Sequence, residues 1–404
     1  MPATDLPAAR VFDGWCLSVL ASAFRGVPVR LQLWDGRSRD LSDAAPVATL
    51  IVRDRATLLQ LLMRPALAFG EAYSAGRLVV QGELTRLLES ANCALRGRPY
   101  QRRTAPSPRA SRAAARDNVH AHYDLGNDFY RLWLDEAMVY TCAYFEHPDA
   151  SLEDAQRAKL DYVCRKLRLQ PGEHVIEAGC GWGALAIHMA RRHGVTVRAF
   201  NISGPQLEEA RERAARAGVA DRVTFVDGDY RTIDGRCDAF VSVGMLEHVS
   251  PADYAELGRV IDRVLDPRHG RGLVHFIGRN VPMPFNPWIR RHIFPGAHAP
   301  TLGEVLPDLL EATNLSAFDV ENLRLHYAAT LRHWRARFEA HADDIRAMFD
   351  DAFVRTWRLY LAGAQASFMS GDLQLFQVTF GRAADNARPW TRDALYATPP
   401  HDAM

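Results

Sequence analysis

Three glycines at alternate positions, Gly179, Gly181 and Gly183, are the residues of this chain whose spacing most directly implies chemistry. They follow a short apolar segment and precede an amphipathic one, so they predict a turn between a strand and a helix. Glycine allows positive φ and close approach of a ligand to the backbone, and the start of a helix offers unbonded N–H groups. The pattern G-x-G-x-G is typical of S-adenosylmethionine (SAM) sites. A dinucleotide site and a purely structural turn are the alternatives.

Further polar side chains follow the later strands of a regular strand–helix alternation. Asn201, Asp229 and Glu247 follow the second, third and fourth predicted strands, and His275 lies within the fifth, at 272–278. Alternating strands and helices imply a parallel, doubly wound sheet, and ligands bind outside the carboxyl ends of its strands. We therefore predict that these side chains converge at one edge of the sheet.

The chain divides into three predicted regions, and its fold class is α/β. Residues 1–95 have the pattern of a small N-terminal α/β domain, which we expect to have a lipid-binding or auxiliary role. Residues 96–117 are rich in Arg, Pro, Ser and Ala and predict a linker, and residues 118–404 carry the doubly wound catalytic domain. Within that domain, residues 302–313, 328–340 and 343–369 are expected to be mainly helical. The apolar segment 373–380 is expected to form an edge strand.

Composition disfavours several classes of protein. The chain has 404 residues, 48% of them hydrophobic, which is enough for a large core, and its net charge of +1 disfavours nucleic-acid binding. Lys159 and Lys166 are the only lysines among 49 Lys and Arg residues, a bias that we attribute to a GC-rich genome. The six cysteines include no C-x-x-C pair, which favours a reducing cytosol and disfavours a metal site. No signal peptide or membrane-spanning stretch is predicted, so we expect a cytoplasmic protein that is soluble or peripheral to a membrane.

Six motifs occur in order along the third region. They are His122-Tyr-Asp-Leu-Gly-Asn-Asp-Phe-Tyr, Tyr140-Thr-Cys-Ala-Tyr-Phe, Gly179-Cys-Gly-Trp-Gly, Leu246-Glu-His-Val, Phe294-Pro-Gly and His326-Tyr-Ala-Ala-Thr-Leu-Arg-His-Trp. In order and spacing they resemble the cyclopropane-fatty-acyl-phospholipid synthase family of SAM-dependent enzymes. The resemblance spans 122–382 and implies a Rossmann-like SAM-methyltransferase domain.

The resemblance implies a SAM site around the glycine loop and the ends of the next two strands. Its members would be Tyr140, Thr141, Ala178, Gly179, Cys180, Gly181, Gly183, Asn201, Gln206, Asp229 and Tyr230. Loop amides would face the methionine carboxylate, Asn201 would bond the ribose, and Asp229 with Tyr230 would bracket the adenine. Many methyltransferases carry an acid where this chain has Asn201, and an amide can also bond a ribose hydroxyl.

The resemblance also implies a bound bicarbonate ion. The matching positions are Cys142, Glu247, His275, Ile277 (through its backbone) and Tyr327. A cis alkene that attacks the sulfonium methyl becomes a carbocation, and the new methyl must lose a proton before a ring can close. A held anion can take that proton. An aromatic face such as that of Tyr327 can stabilise the positive charge by roughly 1–2 kcal/mol.

Each of these residues also has an ordinary structural interpretation. Glu247 could belong to a surface pair, His275 could be a core histidine, and Cys142 could be a small buried hydrophobe. Their expected convergence at one sheet edge favours function. Some relatives carry a Cys where this chain has Ala364, which excludes a covalent role there. Phe294-Pro-Gly is followed by Ala-His-Ala-Pro instead of the usual Gly-x-Leu-Pro, which leaves the acyl-chain or headgroup specificity open.

These features predict an enzyme that transfers a methylene group from SAM to a cis double bond of an unsaturated phospholipid acyl chain, forming a cyclopropane ring. The alternative within the fold is plain methylation, giving a methyl-branched acyl chain or a methylated small amine. A non-catalytic lipid-binding protein and a dehydrogenase are the alternatives from other classes. We expect the enzyme to lie at the inner face of the membrane, in contact with phospholipid, and leave open whether it forms a homodimer.

Overall fold

The computed structural model describes residues 7–96 and 125–396, with side chains from Arg10 onward. Nearly all of the predicted linker, and the motif residues from His122 to Asp124, lie outside the described residues. The chain forms two compact units. Unit 1 comprises Met1–Arg103, Met283–Pro295 and Leu331–Leu373, and unit 2 comprises Thr104–Pro282, Gly296–Thr330 and Gln374–Met404. The domain boundaries at 95 and 117 stay predictions.

Alternating helices and short strands make up the first 95 residues. The elements are α1 (Pro7–Ala23), β1 (Val29–Leu33), β2 (Ser38–Asp40), β3 (Ala48–Val52), α2 (Arg55–Met63), α3 (Pro65–Ser74), β4 (Leu78–Gly82) and α4 (Leu84–Leu95). The strands form a sheet in the order β2-β1-β3-β4, in which β1 and β3 are parallel and the other pairs are antiparallel. The predicted small α/β fold is therefore present.

The remaining elements include the strand–helix alternation that the sequence predicts. They are α5 (Asn127–Arg131), α6 (Leu152–Leu167), β5 (His174–Ala178), α7 (Ala184–His193), β6 (Thr196–Asn201), α8 (Gly204–Arg216), β7 (Val223–Asp227), β8 (Ala239–Val243), α9 (Tyr254–Val264), β9 (Arg271–Gly278), α10 (Pro287–His292), α11 (Leu302–Leu306), β10 (Leu315–Asn322), α12 (Arg324–Ala340), α13 (Ala342–Met348), α14 (Asp351–Ser370), β11 (Gln374–Arg382) and α15 (Asp393–Tyr396). Short 3₁₀ turns follow β7 and β8, and one π turn follows α11.

Among the described residues of unit 2, seven strands form one sheet in the order β10-β11-β9-β8-β5-β6-β7. β9, β8, β5, β6 and β7 are parallel, and β11 is antiparallel to both of its neighbours. The predicted doubly wound Rossmann-like fold is thus confirmed. The prediction that 373–380 forms an edge strand is wrong, because β10 pairs with the outer side of β11. The sequence analysis did not predict β10, whose pattern of buried positions is weak.

Helices cover both faces of the parallel strands. β8 is buried at all five positions, as expected for a parallel strand between two helical layers. Leu160 of α6 and Met189 of α7 belong to the apolar cluster on one face, and Leu257 and Ile261 of α9 belong to the cluster on the other. The carboxyl ends of β5 to β8 therefore lie along one edge of a rigidly packed sheet. No helix in the described part of the chain is long and apolar enough to cross a membrane.

Candidate functional site

The glycine loop is held tightly between β5 and α7. Gly179, Gly181 and Gly183 all have positive φ, at 83°, 53° and 80°. The N–H groups of Gly179 and Cys180 donate to Phe200 O at the end of β6, at 2.9 and 3.1 Å. Gly183 caps α7 without a side-chain bond, so the amides at this helix start lie at the carboxyl edge of the sheet.

The three glycines meet different surroundings. A Cβ on Gly183 would lie 2.7 Å from Phe225 Cζ, and one on Gly179 would lie 2.9 Å from Met245 Cβ. A Cβ on Gly181 would have no heavy atom within 4 Å. Two of the glycines are therefore required by packing, and Gly181 is the position where a ligand can approach the backbone.

Asn201 and Gln206 act as one unit beside this loop. Asn201 Nδ2 donates to Gln206 Oε1 at 2.8 Å and to Gly181 O at 3.3 Å. Asn201 Oδ1 accepts from the N–H of Ile202 at 2.8 Å. The structure therefore brings both predicted residues to the glycine loop, and their mutual bond fixes the turn after β6.

Asp229 has a partner that the sequence analysis did not identify. Its carboxylate accepts from Arg231 Nε at 2.7 Å and from Arg231 Nη2 at 2.8 Å. The same guanidinium lies over the Tyr230 ring, 5.2 Å from its centroid. This bidentate pair fixes the position of Asp229 at the end of β7. The proposed contact of Asp229 and Tyr230 with adenine stays a prediction.

Tyr140 and Thr141 lie on the segment before α6. The Tyr140 ring packs against Tyr130 and Trp133, with centroids 5.5 and 5.2 Å apart, and Tyr130 in turn packs against Trp182 of the loop at 5.1 Å. Thr141 contacts the turn after β8, because a Cβ on Gly244 would lie 2.9 Å from Thr141 Cγ2. The structure therefore brings these two residues to the glycine loop and to the end of β8.

Glu247 and His275 are joined through the backbone of β9. Glu247 Oε1 accepts from the N–H of Ile277 at 2.7 Å, and Gly244 N–H donates to His275 O at 2.8 Å. Glu247 is partly exposed, but its Oε2 atom is buried. Glu247 Oε2 and His275 Nε2 are both buried without a hydrogen-bond partner among the described residues. Unpaired buried polar atoms are costly, so two of them at one sheet edge indicate a polar ligand.

Cys142 and Tyr327 come from different parts of the chain and approach each other through Thr330. Ala143 follows Cys142, and its backbone N–H donates to Thr330 Oγ1 at 3.0 Å. Tyr327 lies one turn before Thr330 on α12. The Cys142 thiol donates to Ala143 O at 3.1 Å. Burial raises the pKa of this thiol, so it stays protonated and acts as a donor at neutral pH.

Burial also shifts the pKa values of Glu247 and His275, and so determines their charges. It raises the pKa of Glu247 to about 7, and the N–H of Ile277 limits this rise by stabilising the carboxylate. It lowers the pKa of His275 well below its usual value, and the positive charges of Lys159 and Lys166 add to that effect. At neutral pH the site therefore combines a neutral imidazole with a carboxyl group close to its titration midpoint.

The titration of Glu247 gives a direct test of this environment. Because burial disfavours the carboxylate, we expect the side chain to be protonated below about pH 7 and ionised above it. In infrared difference spectra of wild type minus Glu247→Gln, the protonated C=O band should be present at about pH 5 and disappear with a midpoint near 7. Disappearance at the ordinary carboxyl pKa would contradict the burial of the Glu247 Oε2 atom.

Sequence analysis missed three buried charged residues beside this site. Lys159 Nζ donates to Thr141 Oγ1 at 2.9 Å. Burial lowers the pKa of Lys159 to about 8 and raises that of Glu177 to about 8, with each charge opposing the other's shift. The third is Lys166, which also lies on α6. The sequence did contain signals for these residues. They are the two lysines, seven residues apart in an arginine-rich chain, and the acid Glu177 inside the apolar strand β5.

A cluster elsewhere in unit 2 has the residue types of a metal site. Among the described residues, ligand atoms of Cys164, His188 and His193 lie within 4.8 Å of one another. His188 Nε2 is bonded to Asp161 at 2.8 Å. Burial lowers the pKa of His193, and the positive charge of Arg192 adds to that effect and opposes a cation there. We assign no metal to this cluster.

The fold and the loop together define the class of protein. A parallel doubly wound sheet, with an open glycine at the first strand–helix turn and polar residues at the next strand ends, is the architecture of SAM-dependent methyltransferases.

Comparison with known proteins identifies the family within this class. Residues 110–378 match the mycolic acid cyclopropane synthetase family, and residues 17–95 match a family described only as a domain of unknown function. A probable fatty acid methyltransferase of Pseudomonas putida is 37% identical over 92% of this chain and 96% of its own. Cyclopropane-fatty-acyl-phospholipid synthase of Escherichia coli K12 is 38% identical over 66% of this chain and 68% of its own.

A solved structure gives the same result. Mycolic acid cyclopropane synthase CmaA1, complexed with SAH and CTAB, is 31% identical over 66% of this chain and 97% of its own, with a TM-score of 0.62. The chain therefore belongs to the mycolic acid cyclopropane synthetase family and is a SAM-dependent methyltransferase.

Proposed function

We propose that this protein is a cyclopropane-fatty-acyl-phospholipid synthase, which transfers a methylene group from SAM to a cis double bond of an unsaturated phospholipid acyl chain. The observation that carries the proposal is the pair of buried, unpaired atoms Glu247 Oε2 and His275 Nε2. A reaction in which the new methyl keeps all its hydrogens does not require a base beside that methyl. A ring-forming reaction does, because the proton must leave from the new methyl itself.

The residues around the glycine loop fit SAM. When bound, SAM supplies an electrophilic methyl group on a sulfonium centre. The open surface at Gly181 and the amides at the start of α7 suit its methionine carboxylate. The Asn201–Gln206 pair would hold the ribose, and the Tyr140 ring would line the wall beside the sulfonium.

The residues around Glu247 fit a small oxyanion. When bound, bicarbonate supplies a base for the proton that the new methyl loses. Glu247 offers an acceptor atom, and the Ile277 N–H holds its carboxyl group in place. His275 and Cys142 add polar atoms on the neighbouring walls, and the Tyr327 ring is available to stabilise the transient positive charge on the alkene carbon.

Methyl branching of an acyl chain is the second candidate reaction. The observation that favours it is the Pseudomonas putida relative, named a probable fatty acid methyltransferase, which matches 92% of this chain. Both reactions begin with attack of the alkene on the methyl of SAM. They differ in where the carbocation loses its proton. Loss at the new methyl, followed by closure, gives a ring, whereas loss at an adjacent chain carbon restores a double bond and leaves a methyl branch with all three of its hydrogens.

Product analysis distinguishes the two reactions. The protein is incubated with SAM and vesicles of unsaturated phospholipid, and the released fatty acids are analysed by mass and by proton NMR. We expect a gain of one CH₂, loss of the double bond and a ring methylene signal. With SAM carrying a CD₃ group, ring formation should leave two deuterons in the product. Retention of three deuterons, or of the double bond, would favour methylation and contradict the proposal.

An exposed apolar face on α1 supports contact with lipid. Val11, Phe12, Trp15 and Val19 lie on this face with exposed fractions of 74%, 45%, 60% and 36%. The acid in the same stretch, Asp13, is buried on the other side of the helix. Aromatic side chains on an uncharged helix face are typical of helices that lie in a membrane interface. We therefore propose that α1 docks on the phospholipid surface.

Removing the aromatic groups tests this docking. Phe12→Ser/Trp15→Ser should weaken binding to phospholipid vesicles by roughly 30-fold or more, since the two rings together contribute about 2–6 kcal/mol when they leave water. Met63→Ser is the matched control, because it removes another apolar side chain, 72% exposed. Vesicle sedimentation gives the affinities, and analytical ultracentrifugation is run in parallel. Unchanged vesicle binding with a shift from dimer to monomer would make α1 an interface between two copies instead.

A further inference from the structure

The two lysines of the chain occupy one face of α6. Lys159 and Lys166 are seven residues apart, which is close to two full turns, so their side chains leave the helix in nearly the same direction. Both are buried, with exposed fractions of 2% and 9%. A buried ammonium group must be hydrogen-bonded, so it restricts the orientation of the acceptors around it.

Lys166 fixes the orientation of the Gln377 side chain. Lys166 Nζ lies 2.5 Å from Glu321 Oε2 and 2.6 Å from Gln377 Oε1. An ammonium group only donates, so the Gln377 atom that faces it must be the carbonyl oxygen. The flipped amide would place its N–H donors against the donors of the lysine.

The nitrogen end of the same amide faces His275. Gln377 and His275 are cross-strand neighbours on β11 and β9, and Gln377 Nε2 lies 3.0 Å from His275 Nδ1. An amide nitrogen donates, so Nδ1 accepts and carries no proton. The low pKa of His275 keeps its ring neutral. Its one N–H is therefore on Nε2, the buried atom without a partner among the described residues.

We propose that Lys166, acting through Gln377, fixes His275 as the Nε2–H tautomer, so that His275 donates a hydrogen bond to the anion held beside Glu247. This inference rests on the proposed function, which places an oxyanion there. The donor at His275 and the acceptor at Glu247 Oε2 form an asymmetric pair, which suits a singly protonated oxyanion such as bicarbonate. Lys166 and Gln377 are positioning residues. His275 binds the anion and does not take the proton from the substrate.

The tautomer of His275 can be measured without any assay of activity. Protein labelled with ¹⁵N-histidine is studied by long-range ¹H–¹⁵N correlation, with His275→Asn to assign the signals. The wild-type spectrum should show a protonated Nε2 and an unprotonated Nδ1 for His275. A proton on Nδ1 would overturn the inference, whatever the variants do.

Variants of Lys166 connect the tautomer to turnover. Lys166→Met lets the amide rotate, so His275 should show both tautomers, and turnover should fall roughly 10- to 100-fold, the usual effect of losing a residue that orients a histidine ligand. Lys166→Arg also presents only donors and should restore the single tautomer and most of the turnover. Glu321→Gln is the matched control, since it changes the other partner of Lys166 and should keep the tautomer.

The outcomes separate this inference from the proposed function. The role of Lys166 is overturned if His275 keeps a single tautomer in Lys166→Met. It is also overturned if His275 shows both tautomers in that variant while turnover and its dependence on bicarbonate stay unchanged. SAM affinity should be equal in all variants, because a general loss of structure would lower it. If instead the wild type forms no cyclopropane product, the proposed function fails, and the NMR result still decides how the His275 tautomer is set.

Discussion

Glu247→Gln is expected to lower turnover about 10³-fold while leaving the SAM dissociation constant within a factor of two or three. The substitution keeps the shape of the side chain, and its carbonyl oxygen can still accept from the N–H of Ile277 at the place of Oε1. It replaces Oε2, the buried unpaired acceptor, by an NH₂ donor. The site would then present donors from both the new amide and His275, and the O–H of bicarbonate would have no acceptor.

The measurement combines initial rates with calorimetric titration of SAM. Removing bicarbonate from the buffer should reduce the wild-type rate, and adding it back should restore that rate, whereas the Glu247→Gln rate should respond to neither. Tyr254→Phe is a suitable control, because the Tyr254 hydroxyl is another buried group whose pKa is raised by burial and by Glu247. Full turnover in Glu247→Gln would show that no anion is held by this side chain.

Gly183→Ala should have the largest effect on stability, lowering the free energy of unfolding of unit 2 by roughly 2–5 kcal/mol. The residue has φ of 80°, where an L side chain costs about 1–2 kcal/mol. Its new Cβ would also lie 2.7 Å from Phe225 Cζ and 2.9 Å from Ala210 Cβ. Overpacking in such a core costs about 1–3 kcal/mol more.

Gly181→Ala is the matched control for this prediction. It also has positive φ, but its Cβ would enter open space, so the loss of stability should be limited to about 1–2 kcal/mol. Its SAM affinity should fall, because the methyl group occupies the surface that the ligand approaches. Urea denaturation and SAM titration of both variants give the two quantities. Equal stability losses would contradict the packing difference between the two glycines.

The two parts of the site have different origins. The SAM part is built from one continuous stretch, the glycine loop, together with the ends of the next two strands. The part around Glu247 combines β8, β9, the segment before α6 and the start of α12. The donor site is therefore a property of the fold, and the reaction depends on side chains that several separate segments bring to it.

Much of the fold could be predicted because its signals are local. Apolar periodicity identified β5 to β9 and the helices between them, and glycine spacing identified the loop. The positions after the strands followed from the geometry of a parallel sheet. The prediction failed at β10, since Leu315–Asn322 carries a weak pattern, and β11 was consequently placed at the edge.

The sequence by itself determined the strand–helix alternation, the glycine loop and the residue types that a SAM site needs, because each depends on neighbours along the chain. Only the tertiary structure decided what surrounds His275. Lys166 meets Glu321 across 155 residues and Gln377 across 211, and Gln377 reaches His275 only in the register that pairs β11 with β9. A shift of one residue would turn Gln377 to the other face of the sheet. No local pattern encodes that register, because it results from the packing of the whole sheet.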